Sequence, residues 1–207
     1  MTRQFATGAA PHTPPGTTVG SVMRQVLYAL VPGIAAHAWF FGPAIFIQIV
    51  LAVTFALALE ALMLRLRGQP VRHFLADYSA VVTAVLFVLC IPPLTPWWVA
   101  LTGMIFGIVI AKHLYGGLGS NLFNPAMVAY VAVLIGFPQE LTAWLPPASI
   151  AAYTPGLSDA TYAILTGDLP RGLAWDAVSG ATPLDTIRTA VASGQTVVEA
   201  RTAPEFG

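Results

Sequence analysis

Five runs of apolar residues, separated by short connections, govern what this chain can fold into. They run from about Val26 to Phe41, Ala44 to Leu64, Ser79 to Ile91, Trp97 to Ala111 and Phe123 to Phe137. A helix needs about 20 mostly apolar residues, rising about 1.5 Å each, to cross the hydrocarbon core of a bilayer. Ala44 to Leu64 meets this with one ionisable residue, Glu60, near its end. The first run contains Pro32-Gly33, and the third stops at Pro92-Pro93. Several runs are short for a full crossing, so one is expected to re-enter or to depend on buried surroundings. The chain is 57% hydrophobic and 9% charged. Soluble domains are about 25% charged, so water is not the solvent for most of this protein. The expected fold is all-α, a polytopic membrane helix bundle of about five membrane segments with a small polar periplasmic segment.

Charge placement orients the bundle. Before residue 138 the basic residues are Arg3, Arg24, Arg65, Arg67, Arg72 and Lys112. With five spans, all of them fall on one side. The opposite connections (Gly42-Pro43, Pro92 to Pro96, Pro138 to Pro147) hold no Lys or Arg. The positive-inside rule then places the N-terminus in the cytoplasm and everything after about Gln139 on the outer face, with Trp97, Trp98 and Trp144 as interface anchors there. Residues 1–22 read as a flexible cytoplasmic tail. They carry Pro11, Pro14, Pro15 and Gly16, and Met1 to Gly20 lacks the apolar stretch of a cleavable signal peptide. Residues 23–138 read as the membrane domain and 139–207 as the periplasmic segment, which holds seven of the nine acidic residues.

Several function classes are excluded. Nine Lys+Arg balance nine Asp+Glu, which gives no basic excess for nucleic acid. Cys90 stands alone, so there is no intrachain disulfide, cysteine-ligated iron–sulfur cluster or c-type haem site. His12, His37, His73 and His113 are scattered without metal-ligand spacing. A dinucleotide-binding glycine fingerprint is absent. Glu60, one turn from Arg65, reads as an end-of-helix group that snorkels. His37 reads as a packed side chain. Asp77 suits either a helix cap for the third run or a site.

The chemistry concentrates in Asp176-Ala177-Val178-Ser179-Gly180-Ala181-Thr182. Asp-x-x-Ser-Gly-Ala-Thr resembles the acceptor sequence onto which a flavin transferase esterifies FMN, through its phosphate, to the final Thr. Locally, Thr182-Pro183-Leu184-Asp185 reads as a helix start. Thr182 is the N-cap, Pro183 the first helical residue and Asp185 the capping-box acid. Leu184, Ile187 and Val191 follow at helical spacing, and Gly194 is a plausible stop. A phosphate on Thr182 would therefore meet free N–H groups and the positive end of a helix dipole. Gly180 and Ala181 leave room for it. Ser179 belongs to the same turn, and Asp176 reads as an element read by the transferase or a structural hydrogen-bonder. A turn before a capped helix is the bland alternative.

Long stretches of the chain carry a family resemblance. They include Ala10-Pro11-His12, Phe40-Phe41-Gly42, Leu66-Arg67-Gly68, Ile91 to Trp98, Lys112 to Asn121, Phe123 to Met127, and Asp176 to Thr182. Together they resemble the family of Rnf electron-transport complex D subunits, which is similar to the B subunit of the sodium-pumping NADH:quinone oxidoreductase. The resemblance implies a bacterial inner-membrane complex that moves electrons between ferredoxin and NAD and couples this to Na⁺ or H⁺ transport. It implies FMN on Thr182 in the periplasm, a flavin transferase for maturation, other Rnf subunits and membrane lipid as partners, and no catalytic residue in this chain alone. It also admits a second, noncovalent flavin in the membrane part, which no motif here locates. Two departures stand out. Tyr78 occupies a position where the family pattern leads us to expect glycine. The chain also stops at Gly207, where family members continue through further membrane helices, so it is expected to be an N-terminal portion. A channel or permease is the rival reading, through Asn124-Pro125-Ala126 behind Gly116-Gly117-Leu118-Gly119. Aquaporin-like pores need two such tripeptides, and a helix start with an Asn cap and Pro in the first turn explains this one.

Overall fold

The computed structural model describes residues 18–151, 153–170, 175, 179–180 and 183–201. Every regular element among them is helical. In chain order they are α1 (Val19–Phe41), α2 (Ala44–Leu66), α3 (Val71–Leu75), α4 (Ser79–Val88), and α5 (Trp97–Met104), which runs on as a π-helix (Ile105–His113). Then come α6 (Pro125–Gly136), α7 (Pro138–Thr142), α8 (Leu157–Thr166), α9 (Pro183–Ala192) and α10 (Val197–Ala200). The protein is a membrane helix bundle. Only α1 and α2, at 23 residues each, are long and apolar enough among the described residues to cross a bilayer by themselves. Ser79–Val88, Trp97–His113 and Pro125–Gly136 are shorter apolar helices.

Helix α2 is the axis of the bundle, and it packs most extensively on α4 and then on α5 and the π-helix. Its buried side is lined by Ala52 and Ala56, both 0% exposed, which lets neighbours approach closely. Glycine does the same elsewhere. A Cβ on Gly103 would lie 2.4 Å from the ring of Phe87, so the α4–α5 contact requires its absence. A Cβ on Gly107 would lie 2.9 Å from the Pro125 carbonyl, where the π-helix meets α6. Hydroxyls inside the helices bond to their own backbone. Thr54 donates to the Val50 carbonyl at 2.7 Å, Thr83 to Ser79 at 2.9 Å and Thr102 to Trp98 at 2.8 Å.

Helix α4 has only ten residues, about 15 Å of rise, roughly half a hydrocarbon core. Below it the chain turns through Ile91 to Pro96, all buried and outside any helix. Backbone of that kind is tolerated at depth only where protein satisfies it. Here Gln48 of α2, 0% exposed, donates through Nε2 to the carbonyls of Pro93 at 3.3 Å and Thr95 at 2.5 Å. The expectation of a short segment dependent on buried surroundings thus falls on the stretch 79–96.

Caps follow the sequence. Asn124 accepts from the Ala126 N–H at 2.9 Å, with Pro125 at the first helical position. Asp77 accepts from the Ser79 N–H at 2.7 Å and from its hydroxyl at 2.6 Å, so it anchors the start of α4. Between them Tyr78 has φ +61°, the one non-glycine residue with positive φ among the described residues. This is the place where glycine was expected. Helix α9 begins at Pro183, and Gly194 ends it at φ +86°, with its N–H on the Val191 carbonyl and that of Gln195 on Ala190.

Candidate functional site

Two cavities sit at opposite ends of the α5–π segment. The first, about 500 Å³, lies at its start. Its walls come from the 94–98 turn, α7, the end of α8, Trp175 and Ser179. Trp98 stands edge-on to Trp97, with ring centroids 6.1 Å apart. It packs so tightly on Gly167 that a Cβ there would lie 2.4 Å from the indole. Gly167 also has φ +83° as the left-handed end of α8, so both backbone and space call for glycine.

Ser179 of the sequence motif borders this cavity. The Ser179 N–H and hydroxyl both bond to the Trp175 carbonyl, each at 2.8 Å. The Gly180 N–H bonds to the Trp144 carbonyl at 3.0 Å, and a Cβ on Gly180 would lie 2.9 Å from Pro146 Cβ. Trp144 in turn meets Phe41 of α1 edge-on at 5.9 Å. The motif is therefore pinned to the bundle at Ser179 and Gly180. Asp176, Ala181 and the acceptor residue Thr182 lie outside the described residues. Trp98, Trp175 and Gly167 carry no motif of their own. An indole immediately before Asp176 is the one sequence signal that could have pointed here.

The second cavity, about 410 Å³, lies at the other end of the segment, bordered by Arg67, Asp77, Lys112 and His113. Beneath it is a buried charged cluster. Lys112 Nζ bonds to Glu60 Oε1 at 2.7 Å and to Ser79 Oγ at 2.8 Å. Ser79 links the ammonium to Asp77. His113 Nε2 lies 3.0 Å from Glu60 Oε2, without aligned hydrogen-bond geometry. Arg67 Nη1 reaches His113 Nδ1 at 3.3 Å. A guanidinium only donates, so Nδ1 accepts and the ring proton belongs on Nε2, facing Glu60. Glu60 is 2% and Lys112 3% exposed. Glu60 thus does not snorkel towards Arg65, as the sequence suggested. Its partners, Lys112 and His113, come from the π-helix packed against α2, about 50 residues away in the chain. Lys112 is likewise not a loop charge but the buried end of the π-helix, so it leaves the set of surface charges used for orientation.

Other candidates resolve simply. His37 is buried against Phe41 at 5.1 Å, and neither ring nitrogen has a hydrogen-bond partner among the described residues. No group of His, Cys, Asp or Glu able to hold a metal occurs among the described residues. The Asn124 side-chain oxygen is engaged in its cap, so the tripeptide acts as a helix start.

A model of the NQR2, RnfD, RnfE family matches residues 6–204. The chain is 46% identical to the D subunit of the ion-translocating oxidoreductase complex of Escherichia fergusonii, over 98% of this chain and 59% of that protein. It is 49% identical to the corresponding D subunit of Aeromonas hydrophila, over 98% of this chain and 60% of that one. For the Salmonella typhimurium D subunit the identity is 48%, over 93% of this chain and 57% of the relative. The chain spans about six tenths of the length of these curated relatives.

Proposed function

This chain belongs to the NQR2, RnfD, RnfE family, and on that premise we propose that it is a membrane subunit of an Rnf-type ion-translocating oxidoreductase, with FMN esterified to Thr182. The observation that carries this reading is the placement of the motif. Ser179 and Gly180 are fixed by backbone hydrogen bonds, Ser179 on the wall of a cavity, and a helix starts at Pro183. That arrangement fits a flavin phosphate. The entrance of a helix favours a phosphate through its dipole and its first N–H groups, and the neighbouring cavity has room for a small molecule.

FMN, once bound, would accept and pass electrons. The protein's own residues supply position. Ser179 and Gly180 hold the segment against Trp175 and Trp144. Helix α9 begins directly after the acceptor, and the ester keeps the cofactor from diffusing away. Other subunits of the complex would supply the electron donor and acceptor, and a flavin transferase would form the ester. The favoured orientation puts the N-terminus in the cytoplasm and the Thr182 end on the periplasmic side of the bacterial inner membrane. Arg24, Arg65, Arg67 and Arg72 support this, since they cluster at the end remote from the motif.

A denaturing gel tests the attachment. The chain purified after co-expression with a flavin transferase should fluoresce yellow-green under ultraviolet light, and Thr182→Ala should be dark. Fluorescence retained by Thr182→Ala, or none in the loaded parent chain, would remove the assignment.

A further inference from the structure

We propose that the basic end of the bundle binds the phosphodiester of an anionic phospholipid, with Arg24, Arg65 and Arg72 as its ligands. The inference needs only the membrane bundle and holds with or without a flavin. Charge is the first support. Between residues 18 and 138 the chain carries five Lys and Arg (Arg24, Arg65, Arg67, Arg72 and Lys112) against two carboxylates, Glu60 and Asp77. Both carboxylates are already engaged, Glu60 by Lys112 and Asp77 by Ser79. Arg67 spends its fork on the His113 ring and the Gly116 carbonyl. Arg24, Arg65 and Arg72 are exposed and have no carboxylate partner among the described residues. A guanidinium fork matches two oxygens of a phosphate, which makes arginine well suited to a phosphodiester.

Placement is the second support. Arg65 lies in the last turn of α2, Arg72 in α3 and Arg24 near the start of α1. These helix ends pack together. Helix α3 rests on α2, and a Cβ on Gly20 would lie 3.1 Å from the carbonyl of Ala76, just after α3. Arg24 is aimed by its neighbours. Its Nε donates to the Gly20 carbonyl at 3.2 Å and its guanidinium lies 5.9 Å from the Tyr78 ring, which leaves the Nη groups for an outside acceptor. Apolar surface is the third support, and it selects a lipid over a free phosphate. Helix α2 exposes Val50, Thr54, Ala58, Leu62 and Leu66, four residues apart, and Arg65 stands at the end of this stripe. Residues so spaced share one helix face. Thr54 keeps its hydroxyl on the Val50 carbonyl. From Val50 to Leu66 the helix rises about 24 Å, more than half of a hydrocarbon core of about 30 Å. An acyl chain can lie along the stripe while its phosphate meets Arg65. Basic clusters at the cytoplasmic ends of membrane helices attract anionic headgroups in this way.

Native mass spectrometry of the full chain in a neutral detergent tests the proposal, with phosphatidylglycerol or phosphatidylcholine of identical acyl chains added. The parent chain should bind phosphatidylglycerol several-fold more tightly. Arg24→Gln, Arg65→Gln and Arg72→Gln combined should abolish that preference, whereas Arg201→Gln should keep it. Glycerophosphoglycerol, the same headgroup without chains, should fail to displace the lipid. Equal binding of the two lipids by the parent chain would overturn the proposal without recourse to any variant. A preference that survives the triple substitution would overturn it too, and would leave acidic side chains of a partner subunit as what these arginines meet. Displacement by an equal concentration of glycerophosphoglycerol would overturn it in favour of a free phosphate ester.

Discussion

At the scale of single residues, the decisive feature of this protein is a carboxylate only 2% exposed. Glu60 is held by Lys112 Nζ at 2.7 Å and faces His113 at 3.0 Å, with all three side chains buried. Breaking a buried ion pair from one side costs about 3–5 kcal/mol, because the remaining charge has no partner. Lys112→Met should therefore lower the detergent melting temperature by roughly 10 °C, using the stability-to-temperature scaling of a chain of this size. Glu60→Gln combined with Lys112→Met should recover part of the loss, since no lone charge is left inside. A Lys112→Met protein that melts with the parent would show that water reaches the cluster. Tyr78 is the other notable residue. Left-handed backbone costs a non-glycine side chain about 1–2 kcal/mol. Here its ring lies 5.9 Å from the Arg24 guanidinium, a contact glycine could not make.

At the scale of elements, the C-terminal helix α10 is set by a capping box. Thr196 Oγ1 accepts from the Glu199 N–H at 3.3 Å, and the Glu199 carboxylate accepts from the Thr196 N–H at 2.8 Å. Chiefly that N–H, and then the Thr196 hydroxyl, hold the Glu199 carboxyl below its ordinary value of 4.5. A depressed acid stabilises the helix above the unfolded value and loses that contribution as pH falls through the folded one. Carbon-13 shifts of Val197–Ala200 should accordingly move towards coil values with a midpoint below 4.5. Shifts that stay flat through that range would show the box to be dispensable. Elements governed by local chemistry were legible in the sequence. Pro183 and Gly194 bound α9, Asn124 caps α6, and the hydropathy of Ala44 to Leu64 marks α2. Elements governed by distant partners were not. The π-helix has no composition that distinguishes it from α. Nothing in the sequence pairs Glu60 with Lys112, so the nearer Arg65 looked like its neighbour. The candidate site divides in the same way. The motif announced Ser179 and Gly180, whereas Trp98 and Gly167 join them only because separate connections fold onto one end of the bundle.

At the scale of the whole molecule, the proposed orientation makes a labelling prediction. With Cys90 replaced by serine, a cysteine at Ser193 should react with a membrane-impermeant maleimide added outside spheroplasts. One at Gln69 should react only after permeabilisation. Both positions are exposed in the structure. The reverse pattern would invert the topology without touching the fold. The bundle also solves a problem that hydrocarbon leaves open. Lipid and aliphatic neighbours press on a smooth apolar helix almost equally at every azimuth, so they do little to choose its rotation. Helix α2 carries an amide at Gln48 and a carboxylate at Glu60, each with a single set of partners. Turning the helix about its long axis would strand both at once. Two polar groups, near its two ends, thus index the central rod of this protein to one angle, and the helices that lean on it inherit that setting.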